Sequence, residues 1–385
     1  MSTHGATIAE AVHNATQTKP FDAALWFVLV EEEDGAIVFD RNAHKLAIPA
    51  SVRKLFTAAA VADCLGFSTQ IETELWLDGD DVVLKGHGDP SFGSDRHGYE
   101  PETIAFAPFV RELQRREVLA VGDIVVDVSE YDRATLPYQW KLGNIAYGVA
   151  APVDAIAWSE NDIGDHAVAS AGHSAGLAFR EVLEDSGIAV VGDVRVEIDS
   201  RNWQQRVATV ASPLVYDLLA TVLKPSQNLF AETLHKKMSA LGSGPASYED
   251  SLERERLFLT ETAGLETTTF RFVDGSGLAP DDLVTPAAII AILRWMMEPS
   301  RRALWWDLLA EPGEEEGTLR RRLQPLAPRL RAKTGTVAGV NALAGVVARP
   351  DGRLRYFAVI VNHHLGSSSA ASDLIDSIVE SASEF

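Results

Sequence analysis

The chain has 385 residues, 46% hydrophobic and 23% charged, an ordinary globular balance with enough length for more than one domain. A formal net charge of −21 argues against a nucleic-acid binder, because neutralising phosphates takes clustered Lys and Arg. The single cysteine, Cys64, excludes an intrachain disulfide, and its neighbours Val61, Ala62 and Leu65 predict a buried, inert thiol rather than a nucleophile.

Met1 to Ala11 has the pattern of a helix start. Met1 to Asn14 lacks both a basic start and a long apolar run, so neither a signal peptide nor a membrane span is read there. Ala24 to Val30 reads as a buried strand, Glu33-Asp34-Gly35 as a turn, and Ala36 to Phe39 as the returning strand. Between about Ile71 and Arg201, short strand-like runs (Val82 to Lys85, Ile124 to Val128) alternate with many Gly and Pro residues. This predicts an inserted second domain, 71–201, within a catalytic domain made of 1–70 and 202–385. Near the C-terminus, Ala342 to Ala348 and Leu354 to Val361 flank Pro350-Asp351-Gly352 as a second hairpin. Ser369 to Ser381 then places Leu374, Ile375, Ile378 and Val379 at helical spacing. Strand pairs at both ends predict one antiparallel sheet built from both termini, in a mixed α/β fold with helices flanking it.

Three short motifs carry chemistry. Ser51-Val52-Arg53-Lys54 follows Pro49-Ala50 at a helix start, where positions three apart share a face, so Ser51 and Lys54 point the same way. A serine hydroxyl becomes a nucleophile when a base takes its proton, and a lysine of lowered pKa can be that base. Ser226-Gln227-Asn228 follows Pro225 and precedes an amphipathic run, Leu229, Ala231, Leu234 and Met238. The same S-x-N pattern recurs at Ser159-Glu160-Asn161 and Ser200-Arg201-Asn202, so only its context singles out Ser226 as a proton relay and Asn228 as a substrate-positioning amide. Lys333-Thr334-Gly335-Thr336 is the only K-T-G. On a strand, Lys333 and Gly335 face one side and Thr334 the other, and the missing side chain of Gly335 lets a ligand approach. Lys333 and Thr334 are suited to a terminal carboxylate, and the strand edge to a substrate backbone or an oxyanion. Each motif alone has a bland reading as a helix start, a loop or a turn. The ordered trio is the set found in class A β-lactamases and penicillin-binding proteins.

At these residues the chain resembles the peptidase S13 family, the class C low-molecular-mass penicillin-binding proteins with D-Ala-D-Ala carboxypeptidase activity. The likeness extends to Phe272-Val273-Asp274-Gly275-Ser276-Gly277-Leu278, to Leu283-Val284-Thr285-Pro286, and to Gly317-Thr318-Leu319 with Arg322. It also covers Ala332 to Gly345, Gly86-His87-Gly88-Asp89-Pro90 and Tyr147 to Asn161. The resemblance implies a transpeptidase-like core with an insertion between the first two motifs. It implies Ser51 as acylated nucleophile, Lys54 as general base, Ser226 as relay and Asn228 as substrate ligand. Lys333 and Thr334 would bind carboxylate, and the Ser51 and Thr336 N–H groups would form the oxyanion hole. No metal or organic cofactor is implied. Peptidoglycan peptides and β-lactams are the implied partners, and a periplasmic or other extracytoplasmic location follows from that substrate alone. The interval from Lys54 to Ser226 is short for the family, so the insertion is expected to be reduced. Gln227 replaces the family's usual Asp.

The rival readings are a β-lactamase or esterase of the same fold, or a non-catalytic peptidoglycan-binding protein. No asparagine occurs between Leu229 and Ala332, which removes the Glu-x-x-Leu-Asn of a class A β-lactamase. Nor is there a His-Glu-x-x-His or a phosphate loop. His363-His364 reads as a strand end that is structural or solvent-facing. Asp274 and Ser276 read as turn residues, and Glu314-Glu315-Glu316 as a solvated loop.

Overall fold

A computed structural model describes residues 7–99, 102–137, 139–146, 149–163, 166–242 and 244–383. The first part of the expected N-terminal helix, residues 1–6, and the Tyr147-Gly148 pair of the family-like segment lie outside the described residues. The chain forms two compact units. One comprises Met1–Ala60, Ala220–Gln227 and Glu255–Phe385, and the other Val61–Leu219 and Asn228–Arg254.

The first unit is built on a five-stranded antiparallel sheet in the order Leu330–Val337, Val340–Ala348, Leu354–Asn362, Leu25–Glu32, Ile37–Arg41. The N-terminal hairpin pairs with the last strand, so Leu25 lies opposite Asn362 and Glu32 opposite Arg355. Every residue of Leu354–Asn362 is buried, as expected of a strand covered on both faces. On one face, helices Ile8–Gln17 and Ser368–Ser383 bury Val12, Ala15, Ile375, Ile378 and Val379 with Val28, Leu343 and Val359 of the sheet. Helix Ile8–Gln17 opens on a capping box formed by Thr7 and Glu10. On the other face, helix Pro286–Met296 packs along the central strands, and a 3₁₀ turn, Ala50–Arg53, packs on Leu330–Val337.

The second unit holds a mixed sheet in the order Val194–Glu197, Ile124–Asp127, Asp81–Gly86, Glu72–Asp78, Gln205–Ala211. Its first two pairings are parallel and the other two antiparallel. An aromatic cluster fills its core, with Phe106 stacked on Trp158 at 4.4 Å between ring centroids and tilted against Phe179 at 4.8 Å. The sequence division at 70/71 and 201/202 differs from these units. Gln205–Ala211 pairs with Glu72–Asp78, and Leu229 and Ala246 pack into the same core, so this unit runs past residue 201 and takes in a second, later segment.

Cys64 is half-buried rather than buried. Its thiol faces the Met238 carbonyl at 3.8 Å, and partial burial pushes its pKa up, which keeps it unreactive. Among the described residues no helix is long and apolar enough to cross a membrane, and no group of His, Cys, Asp and Glu is arranged to hold a metal ion.

Candidate active site

The S-x-x-K segment is split between two helical forms. Ala50–Arg53 is a 3₁₀ turn, and the α-helix Lys54–Leu65 starts at the lysine. In a 3₁₀ turn residues i and i+3 eclipse, which brings the two side chains together more closely than α-helical spacing does. Lys54 Nζ donates to Ser51 Oγ at 2.9 Å and to the Ser276 carbonyl at 2.8 Å. The Lys54 side chain is fully buried, while Ser51 is half-exposed.

Lys333 is also fully buried, on the strand Leu330–Val337. Its Nζ donates to Ser226 Oγ at 2.7 Å and to the Thr334 carbonyl at 2.9 Å. Burial, together with the nearby Lys54 cation, pushes Lys333 well below the usual lysine range. Each of the two serines is therefore hydrogen-bonded to a buried lysine, and the two lysines feel each other electrostatically.

Gly335 explains how the strand reaches the turn. A Cβ there would lie 2.6 Å from the Pro49 carbonyl oxygen and 3.1 Å from the Ser51 nitrogen, so no larger residue fits without displacing backbone. Thr336 pairs with Asn341 across the hairpin, and Asn341 Nδ2 donates to Thr336 Oγ1 at 3.3 Å. By strand alternation the Thr334 and Thr336 side chains project to the sheet face opposite Lys333 and Gly335, so what these threonines offer on the site face is backbone. Asn228 opens the helix Asn228–Lys237 in the second unit, where its amide donates to the Val149 carbonyl at 2.7 Å.

Two site residues other than glycine hold left-handed backbone: Ala50 with φ 48° and Ser226 with φ 70°. Such strain costs on the order of 1–3 kcal/mol per residue and collects at functional sites. The strained Ser226 loop is braced by its neighbours. The Lys224 carbonyl accepts from the Thr318 N–H at 3.1 Å, and Lys224 Nζ donates to Glu314 at 2.6 Å. Glu314 is thus a brace rather than part of a solvated loop.

The sequence left other parts of the site unread. One is the Ser276 carbonyl, which accepts from Lys54. Another is Arg53, fully buried, whose guanidinium donates to both Glu255 oxygens at 2.6 and 2.5 Å and to Thr57 Oγ1 at 2.8 Å, and which lies 3.8 Å over the Phe272 ring. Thr57 Oγ1 in turn donates to the Gly275 carbonyl at 2.5 Å. The pairing of S-x-x-K with D-G-S-G-L was the available signal, since a buried ammonium needs an acceptor from somewhere. The rival S-x-N segments carry no such chemistry. Asn161 is buried, with its amide donating to the Pro152 carbonyl at 2.8 Å and its oxygen accepting from Trp158 N–H at 3.0 Å. Ser200-Arg201-Asn202 lies in an exposed loop. His364 is buried rather than solvent-facing, its Nε2 2.9 Å from Asn341 Oδ1.

The D-Ala-D-Ala carboxypeptidase 3 (S13) family model matches residues 8–174 and 165–385, nearly the whole chain. The chain is 25% identical over 432 residues to the D-alanyl-D-alanine carboxypeptidase of Actinomadura sp. strain R39, covering 89% of this chain and 78% of that one. The crystal structure of penicillin binding protein 4 (dacB) from Haemophilus influenzae superposes with a TM-score of 0.83 at 20% identity, over 95% of this chain and 97% of that one. The same protein complexed with a β-lactam gives 0.75 at 20% identity, over 96% and 98%. The chain belongs to the D-Ala-D-Ala carboxypeptidase (S13) family, and it is a serine peptidase with the mixed α/β fold of the penicillin-binding proteins.

Proposed function

We propose that this enzyme cleaves the D-Ala-D-Ala ends or the D-centred cross-links of peptidoglycan stem peptides through an ester on Ser51, and that β-lactams acylate the same oxygen. The observation that carries this assignment is the 2.9 Å contact between Lys54 Nζ and Ser51 Oγ, with the lysine side chain buried and its nitrogen anchored on the Ser276 carbonyl. Neutral Lys54 takes the Ser51 proton as Oγ attacks the carbonyl carbon of the penultimate residue. The tetrahedral oxyanion lies against the N–H groups of Ser51 and Thr336. As the C–N bond breaks, the departing amine takes a proton through Ser226, which Lys333 holds in place. Water then enters, gives its proton to the same base, and releases Ser51.

Lys333 and the Thr334 backbone receive the substrate carboxylate, whose arrival restores full charge to a lysine that is otherwise depressed. Asn228 is retained as a substrate ligand on the strength of the motif, two residues after Ser226. A peptidoglycan substrate implies that this reaction runs outside the cytoplasm.

The test is intact-mass spectrometry after incubation with a labelled penicillin, on the wild type and on Ser51→Ala. A lasting single adduct that maps to Ser51 and disappears in the variant is expected, and muropeptide digests then divide carboxypeptidase from endopeptidase action. Fast penicillin turnover with no lasting adduct would make the chain a β-lactamase instead.

A further inference from the structure

Behind the strand Leu330–Val337, on the sheet face opposite Lys333, runs a chain of hydrogen bonds that the reaction scheme does not use. It passes from His364, 5% exposed, through Asn341, 2% exposed, to the exposed Thr336. His364 Nε2 lies 2.9 Å from Asn341 Oδ1, and Asn341 Nδ2 reaches Thr336 Oγ1 at 3.3 Å, the Ser368 carbonyl at 3.3 Å and Ser372 Oγ at 3.5 Å. An asparagine amide has a donor end and an acceptor end of nearly the same shape, so its partners decide which way round it sits. Hydroxyls serve either end, but the Ser368 carbonyl only accepts. It draws the Asn341 amide nitrogen towards the helix Ser368–Ser383 and Thr336, and leaves Oδ1 facing the imidazole. The hydrogen between them is therefore on His364 Nε2. The other ring nitrogen, Nδ1, lies 3.1 Å from the Gly366 carbonyl oxygen. Nδ1 gains a hydrogen only in the imidazolium, and burial pushes His364 below the usual histidine range, so at neutral pH the ring is neutral. Protonation in acid adds a bond to Gly366 and leaves the Nε2–H in place.

We propose that His364 is a positioning residue for acylation: its Nε2–H fixes the Asn341 amide, and that amide holds Thr336, whose N–H faces the oxyanion. The proposal rests on the roles given above to Ser51 and Thr336.

Thr336 sits where such support is needed. One residue before it, Gly335 passes the catalytic turn, with its Cβ position 3.1 Å from the Ser51 nitrogen. One residue after it, the strand ends at Val337, opposite Val340, and the turn Ala338-Gly339 begins. His364 grips that turn too, since its own N–H donates to the Gly339 carbonyl at 3.2 Å. An oxyanion donor stabilises charge in proportion to how firmly it is placed beforehand. Without the Nε2–H, Asn341 Oδ1 is left buried with no donor, and the amide is released to turn over and withdraw its N–H from Thr336 Oγ1. Packing alone does not need that hydrogen: the Phe21 ring rests on His364 at 5.3 Å between centroids, and a leucine fills similar space.

Nitrogen NMR of the full chain with labelled histidine reads the tautomer without reference to activity. A hydrogen on Nε2 of His364 at neutral pH is expected, and a bare Nε2 would overturn the relay. Labelled penicillin then gives the acylation rate constant separately from the dissociation constant of the complex that precedes it. His364→Leu is expected to lower the rate constant about tenfold, the factor equivalent to one hydrogen bond, with the dissociation constant unchanged. His364→Gln, whose amide N–H can stand where Nε2–H does, is expected to recover most of the rate. Asn341→Leu is expected to lower the rate constant by the same factor, and His364→Leu to add nothing in that background, because the two act in series. A wild-type rate constant in His364→Leu, no recovery in His364→Gln, or additive losses in the double variant would each leave His364 as packing only. Thr336→Val keeps the N–H, loses only the hydroxyl and lies at an exposed position, so it decides if the buried variants fail to fold. It is expected to acylate about tenfold more slowly, and an unchanged rate would overturn the proposal. Failure of penicillin to label the wild type would instead sink the Ser51 reading, and this role with it.

Discussion

Replacing Glu255 with Ala is the most demanding test of how the catalytic turn is held. Arg53 stands between Ser51 and Lys54 and is fully buried, and Glu255 is 1% exposed. The pair is bidentate at 2.6 and 2.5 Å, the strongest geometry available to a guanidinium and a carboxylate. Removing one partner of a buried pair costs about 3–5 kcal/mol, because the survivor is left charged and dry. Here the stranded guanidinium keeps Thr57 Oγ1 and the face of Phe272, and Asp274 still attracts it. The lower end of that range, about 3 kcal/mol, is therefore expected. Removing both charges, as in Arg53→Met with Glu255→Met, leaves no orphan and is expected to cost less than Glu255→Ala alone. Urea midpoints for wild type, both single variants and the double variant give the coupling energy directly. Penicillin acylation of the same four proteins shows whether the turn itself has moved. A Glu255→Ala cost under about 1 kcal/mol, or a double variant as unstable as the worse single one, would refute the picture of a desolvated strut.

Two further outcomes follow from the strand Leu330–Val337. In the unfolded chain Lys333 binds a proton that the folded state resists, because its folded pKa is depressed. Stability therefore rises with pH from the folded pKa up to the ordinary lysine value of about 10.4. The wild type is expected to gain stability relative to Lys333→Met over that alkaline window in denaturation series at stepped pH; a difference independent of pH would contradict the buried cation. Gly335→Ala forces its new Cβ against the Pro49 carbonyl at 2.6 Å, so either the strand or the Ser51 turn must shift. Acylation is expected to fall at least about a hundredfold, given how steeply attack depends on ångström-scale placement, while far-ultraviolet dichroism stays native. An undiminished rate would mean that the strand edge does not set the geometry at Ser51.

Why some of this was legible and some not depends on the range over which each feature is encoded. Ser51 and Lys54 are three residues apart, and any helical turn puts such residues on one face, so their juxtaposition needed only a local rule. The two terminal hairpins were equally local, each marked by its own turn residues and apolar runs, although their joining through Leu25–Glu32 and Leu354–Asn362 was an inference from having two incomplete sheets. The contact from Lys333 to Ser226 spans more than a hundred positions. No periodicity encodes it, and the same lysine read from its strand alone is only a candidate carboxylate ligand. The pairing of Gln205–Ala211 with Glu72–Asp78 is likewise a long-range contact that no local pattern records. A motif records which residue types meet a substrate. The protonation of the groups behind them is set by burial and by the number of donors each atom finds, and those are properties of the assembled core.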